Sequence, residues 1–359
     1  TINAFTIASS NIIIVYFFLF TLVSCSGGGD DNDITNPEDQ VKSIKLSVSN
    51  EYVELNNQAV FEVLSDKNKV LTSSCKFFVN NKEITGNTFK GDLGDYSVYA
   101  TYKQLISTPK TFNIIPEIVY YKTNVLVEDY TGTWCGWCPR VSQAIKLLKE
   151  ETSQISVVAV HVGDNMQISK SSALTNAFSV NSYPHVRLNR NSKWDGDQPN
   201  NLGAVTGLLG SPRKIGLTME SSLNDRTLSL KVKTQFGFPY TDLKLVVFVL
   251  ENGIIADQIN FTSYFPELDR YTNSNNQPVS KSFIHDNVLR ESLTAVLGDN
   301  IESSSTQSGS IYEKSFNYDI PSDFDISKME VVAIIVDKDK QAINSRMSKL
   351  EENQTFEKL

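Results

Sequence analysis

Tyr130-Thr-Gly-Thr-Trp-Cys-Gly-Trp-Cys-Pro139 decides the fold of this chain. An apolar, strand-like stretch, Asn124-Val-Leu-Val127, leads into it, and a helix-like stretch, Val141-Ser-Gln-Ala-Ile-Lys-Leu-Leu-Lys-Glu150, follows. Strand, C-x-x-C, helix is the context in which two cysteines read as a redox pair. Free N–H groups and the helix dipole at a helix start favour a thiolate. That assigns Cys135 as the attacking sulfur and Cys138, one turn on and close enough to close a disulfide, as the resolving one. Two rival readings stay open. Zinc needs about four ligands, and the chain offers only four cysteines and the widely spaced His161, His185 and His285, so no metal is expected. A purely structural Cys135–Cys138 disulfide is the stronger rival, because context does not prove turnover.

Outward from the motif, Ile155-Ser-Val-Val-Ala-Val-His-Val162 is a continuous apolar run, as in a strand buried on both faces. Ser171 to Phe178 reads as a helix, and Tyr183-Pro-His-Val-Arg-Leu188 as a strand opened by proline. With these elements, residues 117–213 resemble the thioredoxin superfamily. The resemblance implies that Pro184 is the cis-proline packed against the cysteines. It also implies that Asp129, six residues before Cys135, is the buried carboxylate that passes protons to the resolving cysteine; an exposed turn aspartate beside Glu128 is the bland alternative. Trp137 stands where thioredoxin itself has proline, and the Ile155–Val162 strand carries no lysine. Trp134 and Trp137 either frame an apolar docking surface or serve packing.

The N-terminus carries a second signal. Ile12-Ile-Ile-Val-Tyr-Phe-Phe-Leu-Phe-Thr-Leu-Val23 is of signal-peptide length and too short to span a bilayer. Leu22-Val-Ser-Cys25 matches the lipobox of bacterial lipoproteins, which implies a signal peptide over 1–24 and a lipid on Cys25. No Lys or Arg occurs before Lys42. Residues 25–41 are glycine-rich and acidic, with Asp30, Asp31, Asp33, Glu38 and Asp39, and suit a solvated tether. Ser26-Gly-Gly-Gly-Asp-Asp31 also resembles an export signal to the outer face of the outer membrane, so a periplasmic and a cell-surface location both stay open.

A net charge of −8 without a basic block argues against nucleic acid as a partner. Short alternating runs at Ile44–Val48, Ala59–Val63, Lys76–Val79, Tyr96–Ala100 and Thr111–Ile114 predict a β-sandwich over 42–116. Asp92-Leu-Gly-Asp-Tyr96 resembles the tyrosine corner of immunoglobulin-like domains, although Val98 stands where their second cysteine would be. That leaves Cys75 as a small buried hydrophobe or, less simply, a regulatory thiol. Residues 214–359 alternate again, at Leu228–Val232, Leu243–Leu250, Ser315–Tyr318 and Met329–Val336, with long polar connections over 272–280 and 302–309. A C-terminal β-sandwich is expected there. His285, Asp286 and Arg290 sit close in sequence without a catalytic partner, and structural roles suit them better.

The lipobox, acidic tether, Trp-Cys-Gly-Trp-Cys-Pro motif and C-terminal β-segment with its H-x-x-V-L-R stretch together resemble the outer membrane protein 28-related lipoprotein family. The fold expected is multidomain: an immunoglobulin-like β-sandwich, a thioredoxin-like α/β domain and a C-terminal β-sandwich. Two functions follow. One is an outer-membrane-anchored, extracytoplasmic thiol–disulfide oxidoreductase acting on protein thiols or disulfides without a cofactor. The other is a surface binding or adhesion lipoprotein for an extracellular protein ligand, with Cys135–Cys138 as a staple.

Overall fold

The computed structural model describes residues 40–359; the expected signal peptide, Cys25 and nearly all of the tether lie outside the described residues. Strands β1 (Ile44–Val48), β2 (Tyr52–Glu54), β3 (Ala59–Ser65), β4 (Lys76–Val79), β5 (Lys82–Ile84), β6 (Thr88–Phe89), β7 (Gly94–Tyr102), β8 (Leu105–Ile106) and β9 (Lys110–Ile115) build the first module. Sheet β1-β3-β6 faces sheet β2-β9-β7-β4-β5. Alternation along β3 turns Ala59, Phe61 and Val63 inward onto Phe77, Val98 and Phe112. Tyr96 donates from its hydroxyl to the Asp92 carbonyl at 2.9 Å. Cys75 is free and packs partly buried against this core, where burial raises its pKa.

The motif-bearing part follows: β10 (Val125–Thr131), α1 (Pro139–Glu151), β11 (Ile155–His161), α2 (Ser171–Ala177), β12 (His185–Leu188), β13 (Ser192–Lys193) and α3 (Gly203–Thr206). In α1, Val141, Ala144, Ile145 and Leu148 recur at helical spacing and are buried against Val125, Val127 and Val157. Pro139 occupies the first turn, where its missing N–H is no loss. β10 and β11 run parallel, and every residue of both is buried. Such strands need cover on both faces.

The last part comprises β14 (Ile215–Asn224), β15 (Thr227–Phe236), β16 (Lys244–Glu251), β17 (Ile254–Ile259), β18 (Arg270–Thr272), β19 (Pro278–His285), β20 (Val288–Ser292), β21 (Asp299–Asn300), β22 (Ile311–Asp319), β23 (Met329–Val336) and β24 (Ala342–Lys349). It is a sandwich, but not a separate one. Its larger layer continues the motif-bearing sheet in the order β13-β12-β10-β11-β20-β16-β23-β24. The reading that parts the chain at 213/214 therefore divides the sequence and not the sheet. The reason lies in β16 and β23, which are apolar on both faces. Leu245, Val247 and Val249 meet the β14-β15-β22 sheet, while Val246, Phe248 and Leu250 share a core with Leu126, Val158 and Val160. The sheet curls until β24 returns to β10. The Asn124 N–H donates to Asn344 Oδ1 at 3.0 Å, and the Ala342 N–H donates to the Asn189 carbonyl, beyond β12, at 2.8 Å. The 272–280 connection is shorter than expected, because β19 begins at Pro278. Among the described residues no helix is long and apolar enough to cross a membrane.

Candidate functional site

Cys135 and Cys138 are disulfide-bonded. Cys138 is the N-cap of α1, and Cys135 lies one tight turn ahead, its carbonyl accepting the Cys138 N–H at 3.1 Å. Cys135 thus precedes the helix instead of opening it, because Pro139 at the first helical position sets the start. Both sulfur-bearing residues are buried, at 4% and 1% exposure, so the first cysteine is hardly more open than the second.

The Tyr183–Pro184 bond is cis. Tyr183 meets the Trp134 ring edge-on at 5.1 Å, which brings the residue before Pro184 to the cysteine loop. A cavity of about 400 Å³ is lined by Trp137, Tyr183, Pro184 and Trp194 among others. Trp134 and Trp137 are 42% and 52% exposed. They are not equivalent. Trp134 Nε1 donates to the Val162 carbonyl at 2.7 Å and so pins the loop to the end of β11. Trp137 meets the Phe261 ring at 6.0 Å.

Asp129 is buried on the α1 face of β10, not in an exposed turn. Its Oδ1 has no protein partner, and burial raises its pKa from 3.8 to about 7. It lines a cavity of about 460 Å³ with Ile145, Ala159, His161, Gln258, Phe283 and His285. His161 and His285 stand 5.3 Å apart, ring to ring. Burial first, and then His161, lower the His285 pKa to about 4, leaving that ring neutral at pH 7. His161 Nδ1 lies 2.7 Å from Asp164 Oδ2, which also accepts the Thr133 N–H at 2.8 Å. Burial pulls the Asp164 pKa up, but these bonds outweigh it and hold the carboxylate low.

The cover over the sulfurs comes from far along the chain. The Ile259 N–H donates to the Thr133 carbonyl at 2.9 Å and the Phe261 N–H to the Gly136 carbonyl at 2.8 Å. Buried Gln258 Nε2 donates to the carbonyls of Cys135 at 3.0 Å and Gly132 at 3.3 Å. A Cβ on Gly136 would lie 2.3 Å from the Phe261 ring, so glycine is required between the cysteines for this approach. Neither Gln258 nor Phe261 stands out in the sequence. His161 and Asp164 could have been found, as an i, i+3 pair closing a buried strand. The His285–Asp286–Arg290 group does not converge. His285 faces the cavity, Asp286 accepts the Gly253 N–H at 2.8 Å, and Arg290 pairs with Glu251 at 3.2 Å beneath Phe324. No group of metal-ligating side chains forms among the described residues.

With this geometry fixed, the family models agree with it from both sides. The thioredoxin model matches residues 103–206, and the outer membrane protein Omp28 model matches residues 171–354, just over half the chain. The chain belongs to the Omp28 family. The two matches overlap over residues 171–206, which hold α2, β12, β13 and α3. Among solved structures, HBP35 of Porphyromonas gingivalis is similar at 18% identity and TM-score 0.50, over 65% of this chain and 77% of that one. That likeness concerns the fold alone. The Yersinia pseudotuberculosis adhesin InvE aligns at 10% identity over 86% of this chain and 58% of that one, but at TM-score 0.22 it carries no argument. No curated protein matches the chain. The expected family membership and the multidomain, β-rich fold with a thioredoxin-like part are thus borne out.

Proposed function

We propose that this Omp28-family chain is a thiol–disulfide oxidoreductase of the outer membrane, held there by a lipid on Cys25, with Cys135 and Cys138 as its working pair. One observation carries the reading: a disulfide at the N-cap of α1 is fed by a strand bearing the unpaired, buried Asp129, whose pKa lies near 7. A carboxyl that titrates near neutrality can take and return a proton at working pH. In the oxidised form a partner thiolate attacks Cys135 Sγ, and Cys138 leaves as a thiolate, taking a proton supplied through Asp129. The partner's second thiolate then attacks its own mixed disulfide. Cys135 leaves and is protonated in turn, and the partner closes a disulfide as two electrons pass to Cys135 and Cys138. Pro184 borders the approach to the pair, and Trp134 and Trp137 flank it. The first module is read as immunoglobulin-like on the strength of the Tyr96–Asp92 bond.

The burial of both sulfurs favours the rival, a binding lipoprotein stapled by an inert disulfide. The test is titration of the purified chain against glutathione buffers, with insulin reduction measured for wild type and Cys135→Ser. Exchange that disappears in Cys135→Ser supports the redox reading. A wild-type disulfide that never equilibrates with glutathione sinks it.

A further inference from the structure

The Thr133 and Gly136 carbonyls of the cysteine loop accept from an extended segment of the same chain. Ile259 and Phe261, two residues apart, donate to Thr133 and Gly136, three apart across the turn. Gln258, the last residue but one of β17, inserts its amide among the loop carbonyls. The Phe261 ring lies over Gly136 and edge-on to Trp137. This segment is held together by its own hairpin and not by the loop. β17 pairs with β19, and β19 with β18. Asn260 Nδ2 donates to Ser280 Oγ and to the Tyr264 carbonyl, both at 3.0 Å, while its Oδ1 accepts the Thr262 N–H at 2.9 Å. A unit so braced internally, and joined to the loop by a few bonds and one ring, can separate without unfolding.

We infer that Gln258–Phe261 is a strap that closes the cysteine loop and must lift before Cys135 can meet a protein partner. The inference rests on the redox reading and adds its regulation. With the strap down, Cys135 is 4% exposed and the carbonyl edge that an incoming extended chain would pair with is occupied. With it raised, the same edge and the face of Trp137 become free. Access to the disulfide is therefore set by the opening equilibrium of the hairpin.

The test uses the full chain as wild type, Phe261→Ala and Gln258→Ala. Reduction of Cys135–Cys138 by glutathione should accelerate about tenfold or more in either variant, since each loses the ring packing or the amide bonds that hold the strap down. Rates within twofold of wild type in both folded variants would overturn the strap. Should a variant fail to fold, hydrogen exchange of the wild-type chain decides. Ile259 and Phe261 amides that exchange much faster than those of β10 and β11 support the strap, and equal protection overturns it. Oxidation of reduced, unfolded lysozyme separates the two layers. Faster glutathione access with no lysozyme oxidation in any form keeps the strap and removes the redox reading. Lysozyme oxidation at one rate in all three keeps the redox reading and removes the strap.

Discussion

Glu128 and Asp129 are neighbours on β10, both buried, and they face opposite sides of the sheet. Glu128 Oε1 accepts from Arg190 Nη2 at 2.7 Å and from Nε at 3.0 Å, and the guanidinium rests on the rings of Phe178 and Phe248. Asp129 has no cation beside it, and its pKa is shifted by burial alone. One side of the strand carries a charge that is matched and packed in. The other carries a carboxyl kept near its titration point beside a cavity. A buried acid with a fitted partner is a structural feature, while one left without a partner stores free energy that proton transfer can use.

The matched side is the easier to break. Arg190→Met keeps length and apolar bulk but leaves Glu128 buried without its cation, which should cost about 3–5 kcal/mol. All three tryptophans lie within residues 134–194, so urea unfolding followed by indole fluorescence reports on this part of the molecule. Adding Glu128→Gln should restore most of the loss. A single-variant loss below about 1 kcal/mol would show that water reaches Glu128 and that the contrast with Asp129 is weaker than the packing indicates.

The unmatched side should respond to pH. Between about pH 4 and 7 native Asp129 keeps a proton that the unfolded chain has lost, so its contribution to stability falls as pH rises, by at most about 4 kcal/mol. His285 acts in the opposite direction. Between about pH 4 and 6.5 the unfolded chain binds a proton that the native ring refuses, so stability rises with pH, by at most about 3 kcal/mol. In wild type the two slopes largely offset each other. Asp129→Asn should therefore stabilise the protein at pH 8 by up to about 4 kcal/mol, do little near pH 4, and uncover the His285 slope. His285→Gln should stabilise it near pH 4, by up to about 3 kcal/mol, and uncover the Asp129 slope. Parallel pH profiles for wild type and both variants would refute the two assignments.

How much of this was legible in the sequence varied with the range of the contact. The continuous apolar run of Ile155–Val162 announced a strand covered on both faces, seen as Ile155–His161, and the alternation of Leu228, Leu230 and Val232 announced one buried on a single face. Glu128 entered the sequence reading only as the neighbour that made an exposed turn the bland alternative for Asp129. Two adjacent acids suggest a solvated turn unless both faces of their strand are covered, and the second cover is supplied by β16 and β23, more than a hundred residues later. The strap was invisible for the same reason. β17 reads Ile-Ile-Ala-Asp-Gln-Ile, whose residue types do not alternate between apolar and polar, and its bonds to the loop cross about 125 positions of sequence. The sharing of one sheet by two expected domains was likewise hidden, since patterning reveals which faces are apolar and not what covers them.

The smallest expected effect tests how the loop on the Asp129 side is held. Trp134 donates to the Val162 carbonyl at 2.7 Å while its ring packs beside Gly132 and Gly163. Trp134→Phe removes the donor and keeps most of the apolar surface. The residue is partly exposed, so water can reach the carbonyl left behind, and the net loss of one such bond is about 1 kcal/mol or less. The loop also keeps its second tie, the Thr133 N–H to Asp164, whose carboxylate is steadied by His161. Because the lost bond involves no titrating group, the change should be flat from pH 5 to 8, unlike that of either Asp129→Asn or His285→Gln. Far-UV circular dichroism in urea is the suitable probe, since the substitution alters the fluorescence. A loss approaching that of Arg190→Met would mean that the indole, and not Asp164, fixes the cysteine loop. A pH-dependent loss would tie Trp134 to the titrating cavity instead.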